Sequence, residues 1–366
     1  MVDETVTLTV AGTEYSGWTE VAVTRSMETI AGGFELGVTE RWPGQQARSG
    51  IPLGGACSVA IGGQTIITGH IDEVEPTYDA RQHRVMFRGR DATGDLVDCS
   101  AINSPGWWVG ASLLTIAGDI CEPFGIKIYG AVPTGTFTLF SLQMGESAFE
   151  AISRMATRAG VLPVSDGQGG VVFTRSGMGA YAASVILGRN ILKARGQFSN
   201  QDRFSQYIVL GQSPGNDYIA PAMITAGKGV AYDKGITRYR PLVIMANVVD
   251  AGMEIYQTRA NWEATVRMGR AWRHVVTVQG WRDANGVLWQ PNSMSHLADD
   301  FLGIHGPVLI SGVRYLLSED QGTTCELTLT RQAAFDTEPM PDLPDYDPAP
   351  PRYRQFPGRT TKGGHL

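Results

Sequence analysis

The stretch Gly62–Glu75, GGQTIITGHIDEVE, returns in outline as Gly306–Glu319, GPVLISGVRYLLSE. Each has a run of strand formers, a Ser or Thr, a Gly, and a second apolar-polar run. Gly69 is followed sixteen residues on by VMFRGR, starting at Val85, and Gly312 fifteen residues on by LTLTR, starting at Leu327. Composition alone does not give a strand–Gly–strand unit with the next strand at nearly equal spacing. The echo therefore predicts two copies of one antiparallel β-barrel near the two ends of the chain.

The intervening sequence fits a mostly β chain with an α+β insertion. TVTLTV (Thr5–Val10), EVAVTR (Glu20–Arg25), FELGVTE (Phe34–Glu40), CSVAIG (Cys57–Gly62), TIITGHI (Thr65–Ile71) and RVMFRG (Arg84–Gly89) alternate apolar and polar residues between turn signals, as a small barrel or sandwich requires. The period then becomes helical. SLLTIAGDICEPFG spaces Leu113, Ile116, Ala117 and Ile120 along one face and stops at Pro123 and Gly125, and ESAFEAISRMATRAG repeats the device and stops at Gly160. Each helix runs into a strand, IKIY and VLPV. Four segments follow: a first barrel at 1–92, completed by strands within 188–212; an inserted α+β domain at 93–187; a second barrel at 213–335, with a long helix near 251–273 that sets Ile255, Trp262, Val266 and Gly269 on one face; and a tail at 336–366. The tail has no core: residues 336–351 hold six prolines and five acids, and 352–366 four bases and no acid, so it is expected to be extended or flexible.

A chain of 366 residues with 43% hydrophobic content needs more than one core. It has no apolar run long enough to span a bilayer, so no integral membrane segment is expected. Acids at the start, MVDETVTLTV, argue against a secretory signal. Cys57, Cys99, Cys121 and Cys325 lack paired spacing, against a disulfide framework or zinc knuckle and for a reducing cytoplasm. A net charge of −6 gives no reason to expect DNA binding as the main task.

Several motifs suggest chemistry and fail. GQSPG (Gly211–Gly215) matches a nucleophile elbow, but the residue after the serine is Pro214, which has no N–H for an oxyanion hole. His296, Asp299, Asp300 and His305 suit a metal by type but lack ligand spacing, and read as a polar loop. Asp72, Glu73 and Glu75 could serve a peptidoglycan hydrolase, yet carboxylates along one strand do not flank a sugar. Trp107 and Trp108 could stack a carbohydrate in a receptor-binding module, but such a pair more often buries one ring. Arg259, Glu263, Arg267 and Arg270 form an i, i+4 ladder. The glycines of VSDGQGGVVF (Val164–Phe173) read as a hairpin turn. No catalytic, cofactor-binding or metal residue is assigned, and the chain is expected not to be an enzyme.

Five long phrases, GWTEVAVTRSMETIAGGFELGVTERWPG, GGQTIITGHID, GRDATGDLVDCS, LGRNILKARGQFSNQDRFSQYIVLGQ and TRYRPLVIMA, with DANGVLWQPN after them, resemble the baseplate hub proteins of Mu-like contractile-tailed phages. The resemblance runs from about residue 5 to 335 and fades in the tail and in HLADDFLGIH. It implies a homotrimeric ring whose two related barrels per subunit give quasi-sixfold symmetry. Such a ring adapts a hexameric tail tube to a trimeric central spike and leaves a channel for DNA in transit. The implied partners are the spike, the tube and other baseplate proteins, and the implied location is the virion tail after assembly in the host cytoplasm.

Overall fold

The computed structural model describes residues 4–39, 51–79, 83–212, 227–249 and 253–337. The first module is built from β1 (Val6–Val10), β2 (Thr13–Tyr15), β3 (Glu20–Ser26), β4 (Gly33–Thr39), β5 (Ala56–Ile61), β6 (Gln64–Tyr78) and β7 (His83–Asp91). Alternation decides which side each strand buries: Val6, Leu8 and Val10 point inward, as do Val21 and Val23, Phe34 and Leu36, and Val85 and Phe87. Each such side chain contributes roughly 1.5–3 kcal/mol on burial.

The inserted α+β part holds α1 (Gly94–Asp98), β8 (Trp107–Ser112), α2 (Leu113–Cys121), β9 (Lys127–Gly130), β10 (Thr136–Ser141), α3 (Ala148–Ala159), β11 (Leu162–Ser165) and β12 (Gly170–Thr174). Ser112 caps α2, and Ser147 with Glu150 forms a capping box on α3. Gly125 and Gly160 take positive φ where each helical run ends. The two helices share a core of Leu113, Ile116, Ile152, Met155 and Phe173.

The chain then gives β13 (Val185–Ile186), β14 (Ile191–Phe198), β15 (Gln206–Gln212), β16 (Lys228–Tyr232), β17 (Pro241–Val249), α4 (Met253–Arg270), β18 (Trp272–Gln279), β19 (Ser293–Asp299), β20 (Ile304–Ser318) and β21 (Gly322–Thr330). The strand order β3-β4-β7-β6-β5-β1 of the first module reappears as β14-β18-β21-β20-β19-β13. The register also repeats. Ile71↔Gly89, Glu73↔Arg88 and Tyr78↔His83 are answered by Ile310↔Leu329, Gly312↔Thr328 and Leu317↔Thr323, with a bulge at Asp72 in one copy and at Ser311 in the other.

Two expectations need correction. The echo set Gly69 against Gly312, but the sheets match Gly312 to Glu73, and Gly69, opposite Cys57, to Val308, opposite Ser295. The two glycines have different causes. A Cβ on Gly69 would fall 1.9 Å from the Arg90 carbonyl oxygen, whereas one on Gly312 would meet Thr328 at an ordinary 3.5 Å. Nor do strands within 188–212 complete the first module: β14 pairs with β18 of the second, and β15 lies in a separate sheet between β16 and β17. That sheet and α4 enclose their own core of Tyr207, Val209, Ala231, Tyr256, Ala260 and Ala264. Of the face expected on the long helix, Val266 is buried, and a Cβ on Gly269 would lie 2.5 Å from the Ala334 nitrogen. The Ile255 side chain lies outside the described residues.

Candidate assembly surface

The two modules meet edge to edge. The far half of β20 runs antiparallel to β3, from Gly312↔Ser26 to Leu317↔Val21. Val313, Tyr315, Val21 and Val23 are all buried there, and the hydrophobic cores of the two modules merge into one cluster. Both strands at this junction thus have hydrogen-bonded neighbours on either side, β21 and β3 for β20, β4 and β20 for β3.

Their counterparts do not. Past Ile71, β6 has only β7 beside it among the described residues, and Asp72 to Tyr78 are exposed except Val74. Among the described residues β18 is the one strand beside β14, and Leu192 through Gln197 are exposed. The open half of β6 is acidic on one face. Arg90 bridges Asp72 at 2.8 Å and Asp98 at 2.7 Å, while Arg88 bridges Glu73 at 3.0 Å and Glu75 at 2.7 Å. The Arg90 guanidinium holds the Asp98 carboxyl below the usual carboxylate range. These pairs are exposed to solvent, which screens them, so they order side chains more than they stabilise the fold. They line one strand face and flank no cleft, so the hydrolase arrangement is not built.

The remaining motif residues are spread over the molecule. Asp299 is buried and faces His274, with Nε2 3.4 Å from its carboxylate; His305 pairs with the exposed Asp300 at 3.2 Å; His296 is exposed on β19. The stretch expected to be a polar loop is instead β19, a tight turn and the start of β20, in which Asp299 accepts the backbone N–H groups of Phe301 and Leu302. Among the described residues no three His, Cys, Asp or Glu gather as a metal site. The tryptophan pair divides: Trp107 is half exposed, and Trp108 packs on the α+β core and donates from Nε1 to Asp119 at 2.8 Å. Glu263 accepts from both Arg259 and Arg267, and Arg270 donates to the Ala334 carbonyl, so the α4 ladder is engaged within the chain. Asp166 caps the β11–β12 hairpin through the N–H groups of Gln168 and Gly170. Ser213 to Gly215 lie outside the described residues. So does 338–366, whereas Asp336 and Thr337, assigned to the tail, are fastened to Trp262, Ser176 and Gly160. No described helix is long and apolar enough to cross a membrane.

Sequence reasoning missed β14 as an edge. ILKARGQF sets the small Ala194 and Gly196 with Phe198 on its inner side, and Lys193, Arg195 and Gln197 on the other. Such a weak apolar face is the available signal for a strand with one open side.

Comparison with known proteins converges on one family. Residues 5–91 match the Mu phage baseplate assembly protein GpP-like N-terminal domain. Residues 93–175 match the baseplate hub protein gp44-like second domain, and 253–338 the Mu phage baseplate assembly protein GpP fourth domain. The chain is 34% identical to the baseplate hub protein gp44 of Escherichia phage Mu over 91% of its own length and 89% of that protein's. Among solved structures it is similar to a 43 kDa tail protein of prophage MuSo2 from Shewanella oneidensis, at 33% identity and TM-score 0.82, covering 91% of this chain and 99% of that one. A tail protein from Neisseria meningitidis shares the fold at TM-score 0.78 and 24% identity, over 93% of this chain and all of that one.

Proposed function

Because the chain belongs to the Mu-type baseplate hub family, we propose that it is the non-enzymatic hub of a phage tail, a homotrimeric ring adapting a hexameric tube to a trimeric central spike. The observation that carries this reading is the repeated module. Each chain holds two copies of one strand order and register joined by a shared sheet, so three chains would supply six similar modules to a threefold ring. A sixfold partner then meets near-equivalent surfaces on one side, while a threefold partner uses what differs between the copies. The difference is substantial, because the first module carries the inserted α+β domain after β7 and the second carries α4 and its small sheet before β18. The ring would leave an axial passage for DNA once the spike departs, with assembly in the host cytoplasm before incorporation into the virion. The segments 1–92, 93–187, 213–335 and 336–366 follow in that order, with 185–198 reassigned to the second module, β15 grouped with β16 and β17, and Asp336 and Thr337 fastened to the body.

Light scattering of the purified protein is expected to give a mass of three chains, with an end-on electron micrograph showing six lobes. A monomer at micromolar concentration with the fold intact would reject the trimer.

A further inference from the structure

We propose that the open half of β6 in one copy of the chain pairs antiparallel with β14 of a second copy, repeating between subunits the β20–β3 junction that each chain makes within itself. This rests on the assembly proposed above and names the edges that close it.

The internal repeat supplies the register. Along β6, Glu73 corresponds to Gly312, Pro76 to Tyr315 and Tyr78 to Leu317, because each stands opposite the equivalent residue of the following strand. Val21 and Ala194 correspond in the same way. Val21 lies opposite Leu36, which lies opposite Phe87; Ala194 lies opposite Val276, which lies opposite Leu327. Within the chain Leu317 pairs with Val21 and Tyr315 with Val23. Between copies, Tyr78 therefore pairs with Ala194, Pro76 with Gly196 and Val74 with Phe198.

Three features of these edges fit one another in that register. Tyr78 and Leu192, at 77% and 58% exposed, stand where the contact would cover them. Val74 and Phe198 are each half covered by the rim of the shared core, so pairing them continues that core across the boundary. Glu73, Glu75 and Thr77 share one face of their strand, and Lys193, Arg195 and Gln197 share the facing one. Glu75 comes directly opposite Gln197 and diagonal to Arg195, within reach of a long side chain. Pro76 pairs with Val85 on one side and, with no N–H to offer on the other, leaves one ladder bond unmade in this register. It meets Gly196, where no side chain stands in the way of the pyrrolidine ring. The contact is head-to-tail, since one copy offers β6 and the next β14, and such a contact closes into a ring when its rotation divides the circle.

Disulfide trapping in the full chain tests it, in a Cys99→Ser background because Cys99 is exposed while the other cysteines are buried. A chain carrying Tyr78→Cys with Ala194→Cys is expected to oxidise to covalent species of up to three chains that collapse on reduction. Thr77→Cys with Ala194→Cys, whose side chains leave opposite sheet faces, should give roughly a tenth as much or less. If the protein is oligomeric by light scattering but the first pair cross-links no better than the second, this edge is wrong and the assembly stands. A monomer overturns both. In the unsubstituted protein the amides of Ala194 and Gly196, which point away from β18, should be protected from hydrogen exchange at assembling concentrations and exchange at least tenfold faster after dilution to monomers. Fast exchange in the assembled protein would also overturn the proposal.

Discussion

His274 stands in the second module where Phe34 stands in the first: Phe34 lies opposite Gly89, and His274 opposite the matching Leu329. Both are buried. The imidazole thus fills a place built for a ring without charge, with only Asp299 near Nε2 and no hydrogen-bond partner on Nδ1 among the described residues.

Burial pushes His274 below its ordinary value of 6.5, and Asp299 opposes that shift less strongly. The folded state holds the neutral ring, so the stability it contributes is present above about pH 6.5 and is lost as pH falls towards the folded value. Urea denaturation at pH 7 and pH 5 should show a loss whose slope reaches at most about 1.4 kcal/mol per pH unit from this group. His274→Phe should flatten the dependence. An unchanged slope in that variant would remove His274 as its source.

The two glycines of the sequence echo should behave oppositely. Gly69→Ala places a methyl against a backbone carbonyl that cannot turn away, and should cost about 2 kcal/mol or more. Gly312→Ala meets ordinary contact distance and should change stability by no more than roughly 1 kcal/mol in either direction. Thermal melts of the two variants side by side decide this.

The tryptophans should separate too, by less. Trp108→Phe loses the bond to the exposed Asp119 carboxylate, which water can then solvate, together with part of the ring packed on the α+β core, at a cost of about 1 kcal/mol. Trp107→Ala, half exposed, should cost less than about 1 kcal/mol and leave a glycan-array profile flat.

The small sheet depends on a buried bidentate pair. Arg203 Nε and Nη2 each donate to Asp233 at 2.8 Å, and Asp233 also accepts the N–H of Gly235. Arg203→Ala strands that carboxylate and should cost about 3–5 kcal/mol. Hydrogen exchange at Val209 and Val230 should report local loosening before the modules are affected.

The strands of the first module were legible because Val21, Val23, Phe34, Leu36 and Phe87 alternate with polar residues between clear turns. The helices α2 and α3 announced themselves through Ser112, Ser147 and the glycines that stop them. What escaped depends on partners distant in sequence. β14 finds β18 only across the whole small sheet and α4, so no local pattern could assign it. Ala260 and Ala264 line a core through close packing against Gly-rich strands rather than through bulk. The echo was real while its register was not, because glycine at 69 answers a nearby carbonyl and glycine at 312 does not. Of the open edges, β14 left a trace in its weak apolar face, whereas β6 alternates like any paired strand until it outruns β5 at Ile71.

The β20–β3 junction has one further consequence. Two modules that share hydrogen bonds and a common interior cannot hinge freely against each other, so the angle between them is set before any second chain arrives. A wedge-shaped stone fixes the radius of its arch while still lying in the quarry. In the ring proposed above, the width of the opening would by the same logic be set within a single polypeptide, through the buried Tyr315 and Val23 of the junction.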